Sequence, residues 1–141
     1  MKNIMKKLSL VLLIAALLFV LAGCQGKQET LDNSTPRGAV ELFVYCLAEE
    51  PDINTAYAVC EMWHDMSDSQ VKSRFNVYSM YFYVLQNISI GRAQISGDTA
   101  KVEVTAKDEG KPITFRFDLR KRGDNWIITY IESSHLSNLR F

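Results

Sequence analysis

The groups in this chain with chemistry to offer are three thiols, a His-Asp neighbour pair and a knot of tyrosines: Cys24, Cys46, Cys60, His64-Asp65, and Tyr78, Tyr81 and Tyr83. A thiolate is a nucleophile and a metal ligand, and two thiols outside the cytoplasm can join. Cys46 and Cys60 would close a loop of 15 residues, for which chain entropy suggests about 3 kcal/mol. The alternative is a pair of buried free thiols packing as small apolar side chains. Neither the cysteine spacing nor a nearby histidine builds a zinc site, and no metal or other cofactor is expected. His64 is a candidate general base at a helix end. Adjacent residues on a helix do not face each other, however, so Asp65 gives it no partner and an exposed histidine is the simpler reading. Tyrosine has an apolar body and a polar tip, which suit a pocket rim or an interface as well as a core. The sequence carries no phosphate loop, serine triad or metal cluster.

What precedes Cys24 sets it apart from the other two cysteines. Lys2, Lys6 and Lys7 give a positive start, and Leu10 to Ala22 is a run of 13 apolar residues. A membrane-crossing helix needs about 20 apolar residues; the shorter run fits the apolar region of a secretory signal. The junction Leu21-Ala22-Gly23-Cys24 resembles the lipobox of bacterial lipoproteins, with its four elements in order. The resemblance implies that the thiol of Cys24 receives a diacylglyceryl group and that cleavage makes this cysteine the first residue. It further implies a lipid-anchored, extracytoplasmic protein at the cell membrane, carrying palmitate-type chains. With Gln25 rather than Asp after the cysteine, the outer membrane is favoured if the organism is Gram-negative. One acyl chain binds a membrane only reversibly, at about 0.8 kcal/mol per buried CH₂, whereas two or three on one residue hold it.

Four segments are therefore expected: a signal peptide at 1–23, a lipidated flexible tether at 24–35, a folded domain at 36–133 and a tail at 134–141. Loss of the leader removes three lysines from 16 basic residues and no acid from 16, leaving 13 against 16, a balance of −3. Nothing there favours nucleic acid, which needs a clustered basic surface. The stretch Gln25–Thr35 has a single large apolar residue, Leu31, too little to fold on its own.

The elements that must position these groups follow from periodicity. Thr35-Pro36 is a helix start, a hydroxyl N-cap followed by proline at the first turn. Val40, Phe43, Val44 and Leu47 then recur at helical spacing until Glu49-Glu50-Pro51-Asp52 breaks the pattern. A second helix is predicted over Asn54–Trp63, with Ala56, Tyr57, Cys60 and Trp63 on one side. Ser67 and Gln70 have capping-box spacing and open a third helix to Leu85, its stripe being Val71, Phe75, Tyr78, Phe82 and Leu85. Both Cys46 and Cys60 thus fall on helices flanking a turn. From Asn87 the period changes to 2, predicting strands at Ile88–Ile95, Thr99–Lys107, Pro112–Lys121 and Trp126–Glu132 joined by short turns. The fold class is α+β: three N-terminal helices packed on a curved four-stranded antiparallel sheet. Alternation places Val102, Val104, Ile113, Phe115, Phe117 and Leu119 inward. Lys101, Glu103, Arg116, Asp118 and Arg120 fall on the opposite face, where weak cross-strand charge pairs are expected.

The Thr-Pro start, the Phe43…Tyr45-Cys46-Leu47 segment, the acidic turn, Ala56-Tyr57, and a meander ending in Gly123-Asp124-Asn125-Trp126-Ile127-Ile128 together resemble the nuclear-transport-factor-2-like, cystatin-like cone fold. Within it, the look is that of small bacterial lipoproteins with a domain of unknown function related to lumazine-binding-like modules. In such folds the sheet curls around the long helix and can leave a pocket at the open end. Two functions remain open on that basis. The first is a non-catalytic ligand-binding or protein-interaction domain, its partner a small molecule, an envelope protein, or a second copy through the sheet face. The second is an isomerase or dehydratase using His64 or a tyrosine in the cone, although none of the six predicted inward residues can titrate.

Overall fold

The structure, a computed structural model, describes residues 31–134. The leader, Cys24 and most of the tether and tail lie outside the described residues.

Helix α1, Pro36–Ala48, begins where the sequence places it: Thr35 Oγ1 accepts the Gly38 N–H at 3.0 Å, and Pro36 loses nothing by lacking a donor in the first turn. It buries Val40, Phe43, Val44 and Leu47. Helix α2, Ile53–Val59, is capped by Asp52, whose Oδ1 accepts the N–H groups of Asn54 and Thr55 at 3.0 and 3.2 Å. It ends four residues before the expected Trp63. Cys60 leaves the helix in extended conformation (φ −123°, ψ 94°) and forms a parallel bridge to Ile128. A single 3₁₀ turn, Glu61–Trp63, follows. The bridge gives an otherwise unpaired edge strand a partner, and the tighter turn delivers Trp63 to Phe43, ring centroids 5.5 Å apart. Helix α3, Asp68–Val84, starts with Gln70 Oε1 accepting the Ser67 N–H at 2.9 Å. Its expected stripe, including Leu85 at the C-cap, is buried.

The sheet has five strands, not four. β1 (Gln86–Ile90) and β2 (Gln94–Ser96) replace the single first strand, and both pair with β3 (Thr99–Asp108). The interruption falls at Gly91, whose N–H donates to the Glu103 carbonyl at 2.8 Å. A Cβ at Gly91 would stand 3.0 Å from that same oxygen, so the close approach depends on glycine. β4 (Lys111–Arg122) and β5 (Asn125–Ser133) complete the order β1-β3-β4-β5, all antiparallel. Register shifts interrupt β1 against β3 and, between Asp118 and Leu119, β4 against β5. Such bulges bend a strand and re-aim its side chains.

The inward set is as the alternation predicts: Val102, Val104, Ile113, Phe115, Phe117 and Leu119 are all buried. They meet Phe43, Trp63 and Phe82 from the helices, with Phe43 edge-on to Phe117 and Phe82 4.9 Å from Phe115. Among the described residues, none of the charged side chains is buried.

Candidate functional site

The four side chains put forward as pocket or rim groups meet four different surroundings. His64 is exposed at the end of the 3₁₀ turn, its Nε2 donating to the Tyr57 carbonyl at 3.0 Å and its ring 4.7 Å from that of Tyr57. Tyr78 is buried against Trp63, and burial pushes its hydroxyl pKa upward. Tyr81 is half-buried, edge-on to Phe82 and Phe115, with its hydroxyl donating to Asp108 Oδ2 at a long 3.4 Å. Burial first, and the Asp108 charge second, raise its pKa. Tyr83 stands 77% exposed on the outside of α3. Among the described residues, none of the four main depressions is lined by any of these side chains.

The cysteine pair is two buried free thiols rather than a bridge. Cys60 does not lie on the helix expected to carry it: it is drawn out beyond the end of α2 onto β5. Burial, with Asp52 and Glu50 nearby, raises the Cys46 thiol to about 11. Burial raises Cys60 to about 12, and neighbouring N–H groups offset only part of this. Both are poor nucleophiles at neutral pH. Among the described residues, no group of three or more His, Cys, Asp or Glu stands ready to hold a metal.

Open space lies elsewhere: a depression of about 540 Å³ between the helices and the start of β5, lined by Leu42, Asn54, Val59 and Ile127 among others, one of about 360 Å³ beside Tyr57 and Lys72, and two on the polar face of the sheet. A depression of about 450 Å³ is lined by Gln94, Ile95, Lys101, Asp118, Arg120 and Thr129, among others. A second of about 450 Å³ shares Gln94 and Lys101 with it and extends to Arg92, Glu103 and Arg116. Register explains the gathering: Gln94 pairs with Lys101, Lys101 with Asp118, and Asp118 with Tyr130 across four strands. The next row outward is Ser96, Thr99, Arg120 and Ile127. The β4–β5 bulge sits in the middle, and Thr129 Oγ1 donates to the Asp118 carbonyl there at 3.1 Å.

Asp118 is the unusual member. Its Oδ1 is buried yet has no hydrogen-bond partner. Elsewhere on this face the expected charge pairing occurs, Arg116 with Glu132. Lys101, Asp118 and Arg120, by contrast, enter no ion pair among the described residues. A buried polar atom left unsatisfied is costly and calls for a reason, such as a site for a missing partner. Reading the sequence as a solvated strand face passed over this trio. The available signal was Asp118 itself, an aspartate mid-strand between two arginines, where aspartate is ordinarily depleted.

No protein-family model matches the chain, and no curated protein matches it. Among solved structures it is similar to the de novo designed NTF2 fold protein NT-9, at 16% identity, over 67% of this chain and 79% of that chain, with a TM-score of 0.48.

Proposed function

We propose that this chain is a lipid-anchored extracytoplasmic protein whose α+β domain, of nuclear-transport-factor-2-like type, binds a ligand without transforming it. The anchoring half rests on the sequence from Lys2 to Cys24, with its basic start, short apolar run and Leu-Ala-Gly-Cys junction. A tether of about a dozen residues would leave the domain beside the membrane, not in it. No helix among the described residues is long and apolar enough to cross one.

The binding half is carried by where the space lies. The side of the sheet under the helices is filled by Phe43, Trp63, Phe82, Phe115 and Phe117, all less than 2% exposed. Two ligand-sized depressions lie on the sheet's solvent-facing polar side, where charged side chains gather. An isomerase needs a titratable group in a water-poor cavity, and the six inward sheet residues, Val102, Val104, Ile113, Phe115, Phe117 and Leu119, supply none. A surface binding site asks only for shape and placed polar groups.

Native mass spectrometry of the detergent-solubilised full chain tests the binding half; a reproducible adduct of defined mass is expected, and a bare protein under gentle conditions speaks against it. Palmitate tracing and fractionation test the anchor. Cys24→Ser should abolish acyl labelling and release a folded protein into the soluble fraction. Membrane retention of that variant would remove the anchoring reading.

A further inference from the structure

We infer that the depression around Asp118 is a site for a small zwitterion of the α-amino-acid type, with its ammonium group on Asp118 and its carboxylate on Lys101 and Arg120. The inference rests on the reading of the polar sheet face as a binding surface and says what that surface takes.

The first ground is the orphaned carboxylate oxygen. Asp118 Oδ1 is buried and accepts nothing from the protein, so the fold leaves this carboxylate short of a partner, and the part of Asp118 that lines the depression can take a donor from a ligand. Its setting is specific, since Asp118 lies at the bulge where β4 and β5 change register and its own carbonyl is fixed by Thr129. The second ground is charge. Lys101 is the register partner of Asp118, and Arg120 lies two residues along β4 on the same face. All three line one depression, and none enters an ion pair among the described residues.

A mixed set of this kind discriminates. A plain anion drawn to Lys101 and Arg120 meets the Asp118 carboxylate, and a plain cation drawn to Asp118 meets two positive charges. A molecule with both charged groups on one carbon avoids each conflict. A neutral polyol would leave all three formal charges without a counter-charge. The volume, about 450 Å³, admits an amino acid or a dipeptide. Ile95, 59% exposed at the edge of the same depression, offers an apolar rest for a side chain.

The test uses the purified full chain in detergent micelles and reads amide chemical shifts during titration with L-alanine, propionate and ethylammonium. Alanine should shift the amides of 94–101 and 118–129 saturably, with a Kd at least about tenfold below that of either singly charged analogue. Asp118→Asn and Arg120→Gln should each weaken alanine binding by about tenfold or more, while Glu109→Gln, in the β3–β4 turn, leaves it unchanged. Lys101→Gln serves if Asp118→Asn does not fold. Absence of saturable shifts at roughly 10 mM alanine, equal binding of propionate, or full binding by the variants would each overturn the inference. A native adduct of other chemistry, retained while alanine fails to bind, would leave the broader binding reading standing and remove this one.

Discussion

Burial sets the chemistry of single residues here more than sequence neighbourhood does. Cys46 and Cys60 are raised to about 11 and about 12 from an ordinary 9.0, chiefly because the interior disfavours a thiolate. Raised acids of this sort stabilise the fold fully below pH 9.0 and lose that contribution as pH climbs through the folded values. The urea midpoint should therefore fall between about pH 9 and 12, and less steeply in Cys46→Ala/Cys60→Ala. At neutral pH neither thiol should react with iodoacetamide until the chain is unfolded. Both should then label without reductant, and failure to do so would mean a bridge. Gly38 makes a sharper case. Alanine within a helix gains up to about 1 kcal/mol over glycine from propensity, but a Cβ at half-buried Gly38 would lie 2.5 Å from the Asp32 carbonyl oxygen. Gly38→Ala should therefore destabilise the protein, read as a lower midpoint in urea; a rise would mean that the 31–35 segment yields freely.

At the scale of elements, caps and edges decide where structure begins and stops. Thr35 starts α1 through one side-chain hydrogen bond, so Thr35→Ala should cost about 1 kcal/mol in chemical denaturation with the helix otherwise intact by circular dichroism. The exit of α2 is set by something no local signal carries, the edge of β5. Residues Ala56 to Trp63 have helical spacing, yet Cys60 gives up its helical conformation to bridge Ile128. The first strand divides for a related reason. Ile88–Ile95 alternates adequately for one strand, but the backbone at Gly91 closes on Glu103 and divides it. α3 has a further property: Val77, Met80, Tyr83 and Val84 are all exposed on it. Its inner stripe is fully used, and these outward residues are unaccounted for by the packing of the described residues.

For the molecule as a whole, stability comes from one apolar interior between helices and sheet. Phe117 is wholly buried and edge-on to Phe43, so Phe117→Ala should cost roughly 3–5 kcal/mol, enough to unfold a marginal domain of this size at 37 °C. Thermal denaturation followed by near-ultraviolet circular dichroism reads this directly; a loss below about 1 kcal/mol would mean that the interior re-closes around the gap. By contrast, exposed pairs such as Arg122 with Glu61 at 2.6 Å add little. The helix-facing side of the sheet is committed to stability, and the opposite, polar side is where the proposed binding surface lies.

The sequence by itself determined the stripes of α1 and α3, the inward residues of β3 and β4 and the expectation of an anchor at Cys24, because each is a local pattern: a period of 3.6 or 2, or a short ordered motif. Of the stripe expected on α2, only Ala56 is buried on that helix, Tyr57 being exposed. The tertiary structure alone decided that His64 and the three tyrosines are scattered, that Cys60 serves a strand edge, and that Asp118 lies between Lys101 and Arg120 with a bare oxygen. The first two outcomes depend on packing between segments far apart in the chain, and the last on register across strands and a one-residue bulge. None of these leaves a mark in the periodicity of any single segment.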